Sequence, residues 1–212
     1  MTRLILIRHG ESLYNLEKRY TGQTDVPLTK KGILQAKITA DYILENYKID
    51  AIYSSDLIRA IDTARPIAVA LGLPIKTDSR LREIYAGEWQ GMLFSDVSVR
   101  YAKEYEEYKI GAGLKRTHGG ESLYDVQVRA HSAVLDIIRD NPDKTVLISS
   151  HNGPIKALTA PFLNIELPET PSVSNNSVTE VLCDGGKYEV IKLGYDGHLG
   201  KLVTKFKEKT AN

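Results

Sequence analysis

Cysteine is almost absent from this 212-residue chain, with Cys183 the sole example. One thiol can neither close an internal disulfide nor build a Cys-based zinc site, so a reducing compartment, the cytoplasm, is expected. Charge of one sign is also missing in excess: 28 Lys and Arg face 27 Asp and Glu. A general nucleic-acid binder needs a basic surface to neutralise phosphates, and that partner is excluded. Apolar runs extend only a few residues, against the roughly 20 that a membrane helix requires, so no membrane partner is expected. Met1 to Arg8 is too short in its apolar part for a signal peptide, and Arg8 interrupts it. Phe and Trp are scarce (3 and 1) beside 12 Tyr, which suits semi-exposed aromatic surfaces with a polar tip. Repeats, low-complexity tracts and interdomain linkers are lacking. What is present, a length near 200 with 42% apolar residues, fits one domain with a proper core.

Leu4 to Ile7 is a short, wholly apolar run of the kind that forms a buried parallel strand. Further strands are expected at Ala51–Tyr53, Pro74–Thr77 and Thr145–Ser149. Thr29 is a natural N-cap for a helix over Lys30–Tyr47, in which Ile33, Ala36, Ile38, Ala40, Ile43 and Leu44 recur near helical spacing. Ser54-Ser55-Asp56 offers polar groups to cap a second helix reaching Leu71, with Gly72 as its stop. Other helices are expected over Ser122–Arg139 and Asn152–Leu163. Val178–Leu182 and Tyr188–Leu193 flank Asp184-Gly185-Gly186 as a hairpin at the sheet edge. The alternation implies a three-layer α/β/α fold with a mainly parallel central sheet. Polar, weakly patterned residues 87–120 read as a small helical cap inserted into a single domain spanning 1–212.

In open α/β sheets, ligands bind beyond the carboxyl ends of the strands. Strand one ends in Arg8-His9-Gly10-Glu11-Ser12, strand two leads to Arg59, the segment after strand three ends at Glu83, and the strand before the last helix ends in Ser150-His151-Asn152. Two arginines, two histidines and a carboxylate therefore meet at one sheet edge. Such residues suit a phosphoryl group. Arginine forks pair with its oxygens, each charge-assisted bond contributing about 1.5–3 kcal/mol. A neutral imidazole can attack phosphorus in line, and a carboxyl group can protonate the leaving alkoxide. Fixed cations then neutralise charge that a metal would otherwise carry, so neither metal nor cofactor is expected.

Each residue taken singly has a blander reading, because strand-end histidines are often structural and arginines are usually solvated or paired. His131 and His198 keep that structural reading, and His118 either lines the site or sits in a loop. Tyr101, Tyr105 and Tyr108 read as local packing. Lys103, Lys109, Lys115 and Arg116 read as a solvated helical face, and Cys183 as a small core residue. Asn175-Asn176-Ser177 matches a glycosylation sequon by chance.

Together the motifs resemble the histidine phosphatase superfamily, the phosphoglycerate mutase-like family, over Leu4 to about His198. Arg8-His9-Gly10-Glu11-Ser12 with Asn15 is similar to its signature, Tyr20-Thr21-Gly22-Gln23-Thr24-Asp25 to its phosphate-proximal loop, and Ser54–Thr63 to the segment bearing a second arginine. Leu81–Gly87 with Trp89, Gly119–Ser122 with Arg129, and Ser150–Gly153 complete the ordered set. The resemblance implies His9 as nucleophile, Glu83 as general acid then base, and Arg8, Arg59 and His151 as a phosphate clamp. It further implies that Asn15, Thr21, Gly22 and Asn152 contact the phosphate or its ester oxygen.

The donor segment Glu83-Ile84-Tyr85-Ala86-Gly87-Glu88-Trp89 resembles the phosphatase branch, and the chain is short for a mutase. The expected activity is metal-independent hydrolysis of a small phosphorylated metabolite. The alternatives are mutase-type transfer and a non-catalytic phospho-ligand module, the latter disfavoured because nucleophile and donor are both present. His118 departs from the residues common before Gly119, and Met92–Lys115 matches no recognisable substrate class. The edge hairpin suggests a homodimer, although a covering C-terminal segment would explain it equally.

Overall fold

The computed structural model describes residues 1–110 and 118–204. In chain order the elements are β1 (Thr2–Arg8), α1 (Leu13–Leu16), α2 (Lys30–Asn46), β2 (Ala51–Ser54), α3 (Ile58–Leu71) and β3 (Ile75–Thr77). They continue with α4 (Phe94–Arg100), α5 (Ala102–Ile110), α6 (Leu123–Asp140), β4 (Thr145–Ser150), α7 (Asn152–Leu163), β5 (Val178–Asp184) and β6 (Lys187–Tyr195). The strands of the described residues form one sheet in the order β3-β2-β4-β1-β5-β6. β3, β2, β4 and β1 run parallel, and β5 and β6 add an antiparallel hairpin at one edge.

The two-residue period of β1 divides the core. Leu4 and Leu6 pack with Ala130, Val134 and Ile137 of α6 and Ile155 and Leu158 of α7. Ile5 and Ile7 face the other way, onto Ala40 and Ile43 of α2 and Ala64 and Ile67 of α3. Helices thus cover both faces, and each fully buried Leu or Ile contributes about 1.5–3 kcal/mol. The chain is an α/β protein with a mostly parallel sheet. Among the described residues no helix is long and apolar enough to cross a membrane.

Two local expectations change. Thr29 does cap α2, accepting from Gly32 N–H at 3.0 Å, yet Ile33 and Leu44 lie exposed. The buried stripe instead includes the polar Gln35 and Thr39, whose partners come from far along the chain. Gln35 Nε2 donates to the Leu202 carbonyl, and Thr39 Oγ1 meets His198 Nε2 at 2.9 Å. The turn over Gly197–Leu202 therefore packs on α2, a pairing that local periodicity does not reveal. At α3, Ser54-Ser55-Asp56 is not the main cap. Ser55 Oγ takes only the Leu57 N–H, while the Ile58 N–H donates to Asp25 Oδ1 at 2.7 Å. Asp56 faces Arg82 in a bidentate pair at 2.6–2.7 Å, just before Glu83.

Within residues 87–120, α4 and α5 form the short helices expected there, gathered on Trp89. Lys103 is exposed and Lys109 pairs with Glu106, as a solvated face requires; Lys115 and Arg116 lie outside the described residues.

Candidate active site

β1 and β4 are adjacent, parallel and in register, with Arg8 opposite Ser150. The next residue on each strand is a histidine, so the pairing alone makes His9 and His151 neighbours. The His9 N–H donates to the Ser150 carbonyl at 2.9 Å, and the two rings stand 5.0 Å apart. His9 Nδ1 lies 2.7 Å from the Gly10 carbonyl. A carbonyl only accepts, so Nδ1 carries the proton and Nε2 keeps its lone pair. Burial holds His9 well below the usual histidine range, and the positive Arg59 and Arg8 add to the effect. His151 is displaced the same way by burial, then by Arg59, His9 and Arg8. Neither ring nitrogen of His151 has a hydrogen-bond partner among the described residues.

Arg59 sits in the first turn of α3 with no exposed surface. Its guanidinium donates to the Thr24 carbonyl at 2.9 Å and the Gly22 carbonyl at 2.8 Å. Gly22 adopts φ +49°, and a Cβ there would lie 2.3 Å from Gln90 Oε1. The same Gln90 oxygen accepts the Gln23 N–H at 2.7 Å, so Gln90 holds the loop that holds Arg59. Arg8 donates to the Val173 carbonyl. Burial lowers both guanidinium groups to about 10, which leaves them cationic at neutral pH.

Glu83 is fixed from three directions. Its Oε1 accepts the N–H groups of Ile84 at 2.9 Å and Gly153 at 3.0 Å. Gly153 lies in the first turn of α7, where unpaired N–H groups and the helix dipole favour an acceptor. The Glu83 carbonyl accepts from Arg129 and Gln23, and Arg129 also bonds the carbonyls of Arg80 and Arg82 and pairs with Glu121. Glu83 Oε2 is left for a proton or a ligand.

A cleft of about 670 Å³ opens at this sheet edge, lined by Arg8, Asn15, Thr21, Gly22, Glu83 and Asn152 from the sequence-derived set. His9, Arg59 and His151 do not line it; each is at most 2% exposed, at the buried base. Asn15 Oδ1 accepts from Ser12 N–H and Asn175 Nδ2, and Asn152 Oδ1 from Val173 N–H at 2.9 Å. With both carbonyl oxygens taken up internally, each amide presents its Nδ2 donor. The site can therefore place a phosphoryl group among cations and donors, beside an imidazole lone pair and a carboxyl group. Among the described residues no three His, Cys, Asp or Glu side chains gather to hold a metal ion.

Asn175 is the residue that sequence reasoning missed. It is fully buried, and its Nδ2 donates to the carbonyls of His9 at 2.9 Å and Gly10 at 3.2 Å. The sequon match was its only signal, and it pointed elsewhere. Tyr108 also departs from expectation, since it lines the cleft as well as packing on Trp89. His118 lies outside the cleft, half-exposed against Tyr101 and Glu88. His131 packs on Phe162 and Tyr188, and His198 stacks on Tyr42, in structural roles.

Strand-end cations around a buried histidine pair define a phosphoryl-handling α/β protein, and comparison with known proteins agrees. Residues 4–196 match the histidine phosphatase superfamily (branch 1), and the chain belongs to that family. Phosphoserine phosphatase 1 of Hydrogenobacter thermophilus is 32% identical over 203 residues, covering 95% of this chain and 96% of that one. Glucosyl-3-phosphoglycerate phosphatase of Mycobacterium tuberculosis is 33% identical over 179 residues, 81% of this chain and 79% of its own. Phosphoglycerate mutases are among its relatives too. The solved structure of Bacillus stearothermophilus YhfR superposes with a TM-score of 0.88 at 34% identity, covering 94% of this chain and all of that one.

Proposed function

We propose that this chain is a metal-independent phosphomonoesterase that hydrolyses a small phosphorylated metabolite through a phosphohistidine on His9. The observation that carries this reading is the state of His9: Nδ1 tied to the Gly10 carbonyl, the ring neutral, and two buried arginines beside it. Arg8, Arg59 and His151 bind the phosphoryl oxygens, with donors from Asn15, Thr21, Gly22 and Asn152. His9 Nε2 attacks phosphorus as the P–O ester bond breaks, and Glu83 gives its proton to the leaving alkoxide. A water then loses a proton to Glu83 and attacks phosphorus, the P–N bond breaks, and inorganic phosphate leaves.

The phosphatase names of the two relatives described above support hydrolysis, and the mutases among the relatives keep phosphoryl transfer to a second hydroxyl as the alternative. A phosphate-release screen over metabolite monoesters, with chelator present and 3-phosphoglycerate assayed with mutase coupling, tests both. Robust release under chelation supports the hydrolase; isomerisation of phosphoglycerate without release supports the mutase. The residues form one domain with residues 87–120 as its cap, in a cytoplasmic protein. β6 is the outermost strand of the sheet among the described residues, and its edge is the surface for a homodimer, which light scattering tests.

A further inference from the structure

We infer that Tyr20 and Tyr108 form the specificity-determining wall of the cleft, a pair of hydroxyl donors that recognise a hydrogen-bond acceptor, a carboxylate or hydroxyl oxygen, on the alcohol part of the substrate. This rests on the phosphomonoesterase reading and extends it to the class of ester preferred.

Four other tyrosines spend their hydroxyls within the protein, and the remaining six do not line the cleft. Tyr47 donates to Glu180 and Tyr101 to Glu88, while Tyr42 receives Lys192 and Tyr53 receives Asn141. Tyr20 and Tyr108 have no hydrogen-bond partner among the described residues, and both line the cleft that Glu83 lines. Tyr20 stands beside the phosphate-proximal Thr21 and Gly22, whereas Tyr108 comes from α5, across a long stretch of sequence. One residue fixes both rings. Trp89, fully buried, packs on Tyr20 at 5.2 Å and on Tyr108 at 5.5 Å between centroids, and Phe94 meets Tyr20 edge-on at 4.6 Å.

Rings held this way lose little freedom when a ligand arrives, so each hydroxyl is a preorganised donor. Burial pushes the Tyr108 hydroxyl up to about 12, helped by the Glu83 charge, and raises Tyr20 as well. Both therefore stay protonated and donate at working pH. A half-buried donor closed in by a ligand without an acceptor forfeits its hydration, and that asymmetry is a strong source of discrimination. Glu83 Oε1 already accepts backbone N–H groups, and in the reading above its Oε2 carries the proton for the leaving alkoxide, so the alcohol part of the substrate is the partner in position.

The test measures kcat/KM for acceptor-bearing esters (3-phosphoglycerate, phosphoserine and a sugar phosphate) against phenyl phosphate, which lacks an acceptor on its ring. In Tyr20→Phe and Tyr108→Phe the ratio of the best acceptor-bearing ester to phenyl phosphate falls about tenfold each, mainly through KM. Exposed Tyr124→Phe leaves the ratio unmoved. Circular dichroism and calorimetric binding of inorganic phosphate verify that each variant keeps its fold and phosphate pole. A wild type that hydrolyses these esters with ratios unchanged in both Phe variants overturns this inference alone. A wild type that neither hydrolyses any ester nor binds inorganic phosphate overturns the parent reading and this one with it.

Discussion

The backbone N–H of Gly153 donates to Glu83 Oε1 at 3.0 Å, and a Cβ at position 153 would stand 2.3 Å from that oxygen. The carboxyl group is therefore seated in a space that only glycine leaves open. Gly153→Ala should displace Glu83 and lower kcat on metabolite esters by about 10- to 100-fold, the usual cost of an ångström-scale misplacement. Esters with good leaving groups should suffer less, because they need less protonation. Equal losses on both kinds of ester would count against an acid role for Glu83.

Covalent chemistry at His9 predicts a phosphoenzyme that can be trapped. Rapid quenching with radiolabelled substrate should give an acid-labile, base-stable adduct that maps to the peptide containing His9. Glu83→Gln should still be labelled by substrates with good leaving groups yet turn over natural esters slowly. His9→Ala should show no label; a label that persists in that variant would falsify the nucleophile assignment.

Acid should destabilise the protein through its buried histidines. An unfolded histidine titrates near 6.5, whereas burial and the arginine charges hold His9 and His151 well below that in the fold. Between the two values the unfolded chain binds more protons, so stability rises with pH there. The contribution is fully present above about pH 6.5 and fades as pH falls towards the folded values. Melting temperature should drop between pH 7 and pH 5, less steeply in His151→Asn. Saturating inorganic phosphate should flatten the profile, because an anion beside the rings favours their protonated form. Calorimetry across that range is the measurement, and a His151→Asn profile as steep as wild type would contradict the account.

Asn175→Ala should cost about 1–3 kcal/mol, because the side chain joins the carbonyls of His9 and Gly10 to Asn15 in a dry setting. Loss of the Asn15 tether should also raise KM for phosphate esters. Denaturant unfolding and steady-state kinetics read the two effects separately. A variant unchanged in both would remove Asn175 from the support of the site.

The parallel strands and their flanking helices were legible because each is a short apolar run or a 3.6-residue stripe closed by Gly72 or opened by Thr29. The strand-end rule then collected Arg8, His9, Arg59, Glu83 and His151 without side-chain coordinates. What stayed hidden depends on partners distant in sequence. Gln35 and Thr39 look misplaced on a buried helix face until the Gly197–Leu202 turn supplies their bonds. Asp25 caps a helix more than 30 residues on, at Ile58, and Asn175 supports a strand end more than 160 residues back, at His9. Tyr108 belongs equally to packing and to the cleft, and periodicity cannot separate the two.

Gly87 and His118 lie against each other: the Glu88 N–H donates to the His118 carbonyl at 3.0 Å, and a Cβ on Gly87 would stand 1.9 Å from that oxygen. The chain thus leaves for the helices that carry Tyr108 and comes back at a single doorway, pinched shut by a glycine. Just inside it, Gln90 and the Gly91–Phe94 backbone are tied to the loop at Gly22 and to Lys18–Tyr20, whereas α5, farther in, has no hydrogen bond to the strand ends that hold His9 and His151 among the described residues. If Tyr108 reads the alcohol as inferred above, changes confined to α5 alter which ester is accepted while the machinery that handles phosphorus stays in place.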